Sequence, residues 1–294
     1  MKMEADCIPC LMKRVLFQSR LEEGKDDFRI VEASLKTFSS EIREGRKSVD
    51  VATEVHRTCY RELGVRDPYH DLKVKADEVA EGFIPFAESL VESSGDKLRA
   101  ALMVSVVGNI MDFGSGIAID DPSEFTNMFE DLMSQGLGYD DSDLIADLLQ
   151  KEGDVVYIFD NCGESQLDKV LIRYIRSLGK RVIGVVRGEP ILNDVTYEDA
   201  VRIGLDKEMD GLMTTGKYYV GIDWPDVPSE LRDAVSGSCI VIAKGMANYE
   251  SLSDEDMGVP VAHVLRSKCK PVAESLGVPI GINVVKVRST EGIE

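Results

Sequence analysis

Bases are in short supply: Lys+Arg total 34 against Asp+Glu 53 in 294 residues, a formal charge of −19. So acidic a chain repels phosphate backbones, which disfavours nucleic acid as a partner. Any bound phosphate must be held by local cations or a metal, against the global field. Long apolar runs are missing too. None approaches the ~20 residues that span a bilayer, so no membrane partner is expected. The opening MKMEADCIPC carries acids and cysteines where a secretory signal carries an apolar core. Six cysteines are too few for a disulfide-stapled secreted fold, and three histidines (His56, His70, His263) cannot populate a histidine-rich metal centre. These shortages together read as a reduced, cytoplasmic protein. Three motifs are absent as well. There is no G-x-x-x-x-G-K-[ST] phosphate loop and no G-x-S-x-G nucleophile elbow, and Gly114-Ser115-Gly116 lacks the third glycine of a dinucleotide fingerprint.

What is present falls into two parts. Residues 1–97 read as an all-helical domain, because apolar positions recur every three to four residues and nothing alternates with period two. Helical registers run over 10–21, 28–38 and 51–63, the last ended by Gly64. A turn at Asp67-Pro68-Tyr69 leads into a further helical segment over 72–90. The apolar run 98–111 is long enough for a buried helix ended by the glycines at 114–116. Residues 120–154, with eleven acids and one base, read as a solvated helical face with acidic loops. From 155 onward the pattern changes. Strands are expected at 155–159, 181–186, 211–215, 239–243, 259–265 and 282–287, with a helix over 167–178 between the first two. Alternation of this kind gives a Rossmann-like α/β/α domain over 98–294, with a mostly parallel sheet.

In such a sheet ligands sit beyond the carboxyl ends of the strands. There the sequence places Asp160, Asn161, Cys162, Gly163 and Glu164 after one strand, Asn193-Asp194 after the next, and Lys244-Gly245 after another. Two carboxylates and an amide oxygen on one rim form a hard oxygen site suited to Mg²⁺ or Mn²⁺. Lys244 would offer a point charge to phosphate, and the amides of 162–164, at a helix N-terminus, would favour an anion. Capping is the competing reading of Asp160, Asn161 and Asp194. Thr196 with Asp199 makes the better capping box, which leaves Asp194 spare. Asn109 and Asp112 lie three apart and share one face of the buried helix or its last turn. Cys7-x-x-Cys10, with His56 and Cys59 at the same spacing, could bind structural zinc, or the cysteines could stay reduced and packed between helices. Cys162 reads as a packing residue.

These residues together resemble a family. Asp160-Asn161-Cys162-Gly163-Glu164, Asn193-Asp194-Val195-Thr196 and Lys244-Gly245-Met246-Ala247-Asn248-Tyr249-Glu250 look like the signature of the metal-dependent damage-control phosphatases, long catalogued as domain of unknown function eighty-nine and similar to ARMT-like proteins. Gly108-Asn109-Ile110-Met111-Asp112-Phe113-Gly114 resembles its G-N-x-x-D-F-G element. Asp67-Pro68-Tyr69 with Lys73, and Cys7-x-x-Cys10, resemble its archaeal and bacterial branch. The likeness runs from residue 7 to about 270, with Met246 departing from the usual K-G-Q-A-N-Y-E. It implies a divalent metal (Mn²⁺, Co²⁺, Ni²⁺ or Mg²⁺) held by Asp160, Asn161 and Asp194, with Lys244 near the phosphate. Asn109, Asp112, Gly163 and Glu164 would line the substrate site. The implied activity is hydrolysis of phosphate esters of small metabolites, sugar phosphates or damaged phospho-metabolites, by attack of water or of Asp160 itself. Two alternatives belong to other classes: an S-adenosylmethionine-dependent carboxyl methyltransferase, and a non-catalytic protein binding a metal or metabolite.

Overall fold

The computed structural model describes residues 1–112, 121 and 124–289, so the glycines at 114–116 and the end of the G-N-x-x-D-F-G element lie outside the described residues. Five helices open the chain: α1 (Cys7–Ser19), α2 (Asp27–Glu41), α3 (Ser48–Leu63), α4 (His70–Glu81) and α5 (Ile84–Ser93). The Asp26 carboxylate caps α2 by accepting from Arg29 N–H at 3.1 Å. Gly64 closes α3 in the left-handed conformation, φ 69°. The single helical segment expected over 72–90 is two helices, because α5 starts afresh with Pro85 in its first turn. Proline supplies no N–H to continue α4 but suits a helix start.

α6 (Lys97–Gly108) is buried along nearly its whole length. It stops three residues short of the expected end. Asn109 is its C-cap, so Asn109 and Asp112 sit beyond the helix rather than along one face. After it come α7 (Phe125–Ser134), β1 (Tyr139–Asp140), α8 (Ser142–Leu149), β2 (Asp154–Ile158), α9 (Glu164–Ser177), β3 (Val182–Val186), α10 (Tyr197–Arg202) and β4 (Gly211–Thr214). The chain then runs through α11 (Ser229–Ser236), β5 (Ser238–Lys244), α12 (Gly245–Leu252), β6 (Val261–Arg266), α13 (Lys270–Leu276) and β7 (Asn283–Arg288). No helix among the described residues is long and apolar enough to cross a membrane.

The strands form one sheet in the order β1-β7-β6-β5-β2-β3-β4. β6, β5, β2, β3 and β4 are parallel, while β7 runs antiparallel to β6 and β1 follows β7. All six expected strands are found. β1, two residues long, lies where only helices and acidic loops were expected. Strand alternation splits the core. Val155, Tyr157 and Phe159 face α6 and α9, in a cluster continuous with the N-terminal helices through residues such as Leu11, Val55 and Tyr69. Val156 and Ile158 face Leu231 of α11 and Leu252 of α12 on the other side. The result is three layers, with α4 and α5 packed on α9.

One buried group in this frame is costly. His263 on β6 is 2% exposed, neither ring nitrogen has a hydrogen-bond partner among the described residues, and its ring meets Tyr249 edge-on at 5.0 Å. Burial lowers its pKa from 6.5 to about 3, helped by Arg288 and Lys286. The unfolded chain therefore binds a proton that the folded chain refuses between those values, so stability is lost as pH falls from about 6.5. His263→Leu should raise the thermal midpoint more at pH 5 than at pH 8, at about 2–4 °C per kcal/mol for a chain of this size. An equal change at both values, in thermal unfolding across pH, would contradict this.

Candidate active site

The sheet order reverses beside β2, because β3 and β4 extend to one side of it and β5 and β6 to the other. The carboxyl ends of β2 and β5 therefore flank the crevice where an α/β sheet binds ligands. Asp160 and Asn161 leave β2 at this point. The loop after β3 returns to meet them: Asn161 and Asp194 form a bridge, Val195 N–H donates to Asp160 C=O at 2.8 Å, and Cys162 N–H donates to Asn193 C=O at 2.9 Å. Leu192 holds that loop in a left-handed turn, φ 51°, its N–H donating to Tyr60 Oη at 2.8 Å. A leucine there is strained, and such strain gathers at functional loops. None of the three candidate ligands is a cap. Thr196 and Asp199 make the capping box of α10, and Glu164 reaches back to the Asn161 N–H at 3.1 Å.

One cation organises the acids. Arg187, 1% exposed at the end of β3, donates Nε to Asp194 Oδ2 at 2.6 Å and Nη2 to Asp160 Oδ1 at 3.1 Å. Its Nη1 reaches Asn248 Oδ1 at 2.9 Å. The other oxygens are poorly served. Asp160 Oδ2 accepts only a 3.5 Å contact from Asn109 Nδ2, and Asp194 Oδ1 a 3.5 Å contact from Asn161 Nδ2. Asn161 Oδ1 is buried with no hydrogen-bond partner among the described residues. Burial, then Asp194 and Glu164, push the Asp160 carboxyl well above its ordinary range, and burial raises Asp194 despite Arg187. Three hard oxygen atoms in need of positive charge fit a divalent cation.

Gly245 makes this possible sterically. It has φ 73°, and a Cβ there would fall 1.8 Å from Asp160 Oδ2. Its neighbour Lys244 does not reach the cavity, which corrects the phosphate role expected for it. Strand alternation turns its side chain inward, fully buried, where Nζ donates to Ser105 C=O at 2.9 Å, Glu164 Oε1 at 2.6 Å and Asp168 Oδ1 at 2.9 Å. Glu164 is likewise buried, with Oε2 accepting from Asn109 Nδ2 at 3.2 Å. The amides of Cys162 and Gly163 are spent on Asn193 and on Asp77 Oδ1 and are not open to an anion. Gly163, Glu164 and Asn109 thus stand behind the site rather than in its wall. The methyltransferase alternative loses the same amides, which a nucleoside loop would need.

The wall proper encloses a cavity of about 480 Å³ that Asp112, Asp160, Asn161 and Asp194 line together with Arg14 and Lys268. Arg14 Nη2 donates to Asp112 Oδ1 at 3.0 Å and Lys268 Nζ to Oδ2 at 3.2 Å. Burial pushes the Asp112 carboxyl up, but the two cations more than offset it. The four residues read as a zinc set do not assemble. Cys7, Cys10 and His56 line the cavity, whereas Cys59 lies in the helical core, and His56 Nδ1 pairs with Gln18 Oε1 at 2.9 Å. Among the described residues no group of three or more His, Cys, Asp or Glu side chains is placed to hold a metal. Asp160 and Asp194 with an amide are two acids and fall outside that description. Sequence reasoning missed Arg187, Arg14 and Lys268. Arg187 carried a usable signal, since it directly follows a strand.

The damage-control phosphatase ARMT1-like domain model matches residues 3–284. The chain belongs to that family. A damage-control phosphatase of Archaeoglobus fulgidus is 38% identical over 98% of this chain and 99% of its own. Another, of Pyrococcus horikoshii, is 28% identical with 96% of each chain covered. A crystal structure of a DUF89 family protein from Pyrococcus horikoshii superposes with a TM-score of 0.82 at 26% identity, over 97% of this chain and 98% of that one. The protein is accordingly a phosphatase, a hydrolase of phosphate esters, in a family that depends on a divalent metal.

Two substitutions separate the parts of this damage-control phosphatase site. Gly245→Ala should displace the Asp160 carboxylate and cost about 100-fold in kcat, as misplacements near 1 Å do; activity within threefold of wild type would contradict it. Lys244→Met should strand Glu164 and Asp168 and lower stability by about 3–5 kcal/mol. Denaturant unfolding without ligand checks this, and an unchanged midpoint would refute the buried role.

Proposed function

We propose that this phosphatase hydrolyses phosphate monoesters of small metabolites, sugar phosphates or damaged phospho-metabolites, in the cavity bounded by α1 and the loops after β2, β3 and β6. Asp160, Asn161 and Asp194 would hold the divalent cation, through the side-chain oxygens that Arg187 leaves free. The observation that carries the reading is that these three buried oxygens lack a good donor, while the other oxygens of Asp160 and Asp194 are tied to Arg187. When bound, the cation polarises the phosphoryl oxygens and neutralises charge that develops on them. Oxygen donors suit Mg²⁺, Mn²⁺, Co²⁺ or Ni²⁺, and geometry with supply decides among them.

The chain's own residues do the rest. Arg14 and Lys268 line the cavity beside Asp112 and supply the local positive field that the −19 chain otherwise denies a phosphate. Asp112 holds both cations in place. Arg187 fixes the ligand carboxylates so that each keeps one oxygen free. Asp160, held by Arg187 on one side and crowded by the Gly245 turn on the other, serves as ligand and leaves attack at phosphorus to water. The relatives named damage-control phosphatases support the substrate class.

Asp160→Ala and Asp194→Ala should each lower hydrolysis of an aryl phosphate by well over the ~10–100-fold typical of outer partners. Both should retain the circular dichroism of the folded chain. Wild-type turnover should appear on adding Mn²⁺, Co²⁺, Ni²⁺ or Mg²⁺ and disappear with a chelator. Activity surviving both substitutions would remove the site assignment.

A further inference from the structure

Helix α4 belongs to the helical part of the chain, yet two of its side chains hold the loops that bear the metal donors. Lys73 and Asp77 are one turn apart on the same face and are 0% and 2% exposed. Asp77 Oδ1 accepts from Gly163 N–H at 2.6 Å, two residues beyond Asn161. Gly163 is also crowded: it has φ 81°, and a Cβ there would fall 2.4 Å from Met111 Sδ and 3.1 Å from Ala76 Cβ of α4. Lys73 Nζ holds Asp199 Oδ2 at 3.1 Å and Asp67 Oδ2 at 2.9 Å. Asp199 Oδ2 in turn accepts from Thr196 N–H at 3.1 Å and Thr196 Oγ1 at 2.7 Å, two residues beyond Asp194. Arg202 closes the ring, its Nη2 standing 2.8 Å from Asp77 Oδ2 and 2.8 Å from Asp199 Oδ1. Val195, between Asp194 and Thr196, donates to the Asp160 carbonyl at 2.8 Å, so a shift on one loop is felt on the other.

We infer that Lys73 and Asp77 are positioning residues that set the relative register of the Asn161 loop and the Asp194 loop, and so the affinity of the cation site. The inference rests on the ligand assignment proposed above. Burying three charged side chains, Lys73, Asp77 and Asp199, between α4 and these loops is a poor way to gain stability, since apolar packing would cost less desolvation. A ring of paired charges and hydrogen bonds instead selects one arrangement of its members. Neither residue lines the cavity. Their effect passes through Gly163 and Thr196.

The test is calorimetric titration of the metal-free protein with Mn²⁺ alone, without substrate. Asp77→Ala and Lys73→Met should weaken Mn²⁺ binding about 10–100-fold, the usual effect of losing a partner that orients ligands. Asp77→Asn, which keeps an oxygen for the Gly163 N–H, should recover affinity to within about threefold, on the same basis. Should Asp77→Ala not fold, Arg202→Gln, at the half-exposed end of the ring, should still weaken Mn²⁺ binding measurably. Asp194→Ala is the control. If it binds Mn²⁺ like wild type, the ligand assignment itself fails. If it loses Mn²⁺ while folded Asp77→Ala or Arg202→Gln keeps wild-type affinity and only melts earlier, the ligand assignment stands and the positioning role is overturned.

Discussion

Three carboxylates, those of Asp160, Asp194 and Glu164, are crowded into a buried region at the switch point of the sheet, and much of the nearby structure answers that concentration of like charge. In water these groups would repel weakly. Out of water each costs several kcal/mol unless a cation or a hydrogen bond compensates it. The fold meets the demand twice over. Lys244 neutralises the side that faces the core, through Glu164 and Asp168, and Arg187 neutralises one oxygen each of Asp160 and Asp194. What remains uncompensated is the oxygen set proposed to hold the divalent ion.

The same constraint explains residues that do no chemistry. Gly245 exists at the start of α12 because any side chain there would occupy the space of the Asp160 carboxylate. Asn109 is drawn to the end of α6 to place its amide between Asp160 and Glu164, while its own oxygen accepts from Arg266 N–H at 3.2 Å. Asn248 donates to the carbonyls of Phe159 and Lys244 and accepts from Arg187, which ties β2 and β5 to the cation. The helical part contributes Arg14 to the cavity wall and Lys73 and Asp77 beneath it. Neither part of the chain makes the site alone.

Much of the architecture was legible in the sequence because local rules govern it. β-rich runs between helical periods marked six strands, Gly64 marked a helix end, and Thr196 with Asp199 marked a capping box. The rule that ligands lie past strand ends singled out Asp160, Asn161 and Asp194, which meet in the folded chain. It misled at Lys244, the last residue of its own strand, where alternation sends the side chain into the core instead of the crevice. The same rule applies to Arg187, which begins the loop after β3. Arg14 and Lys268 had no local signal: they lie 254 positions apart and meet only through Asp112. The zinc reading failed for a related reason, since helical spacing aligns Cys7 with Cys10 but says nothing of where Cys59 faces.

Anomalous diffraction from crystals of the wild-type protein soaked in Mn²⁺ tests the central claim most directly. A single strong peak within coordination distance of Asp160 Oδ2, Asn161 Oδ1 and Asp194 Oδ1, with Arg187 still bridging the opposite oxygens, is the predicted result. A peak seated elsewhere in the cavity, on Asp112 or among Cys7, Cys10 and Cys269, with those three oxygens left empty, would contradict it.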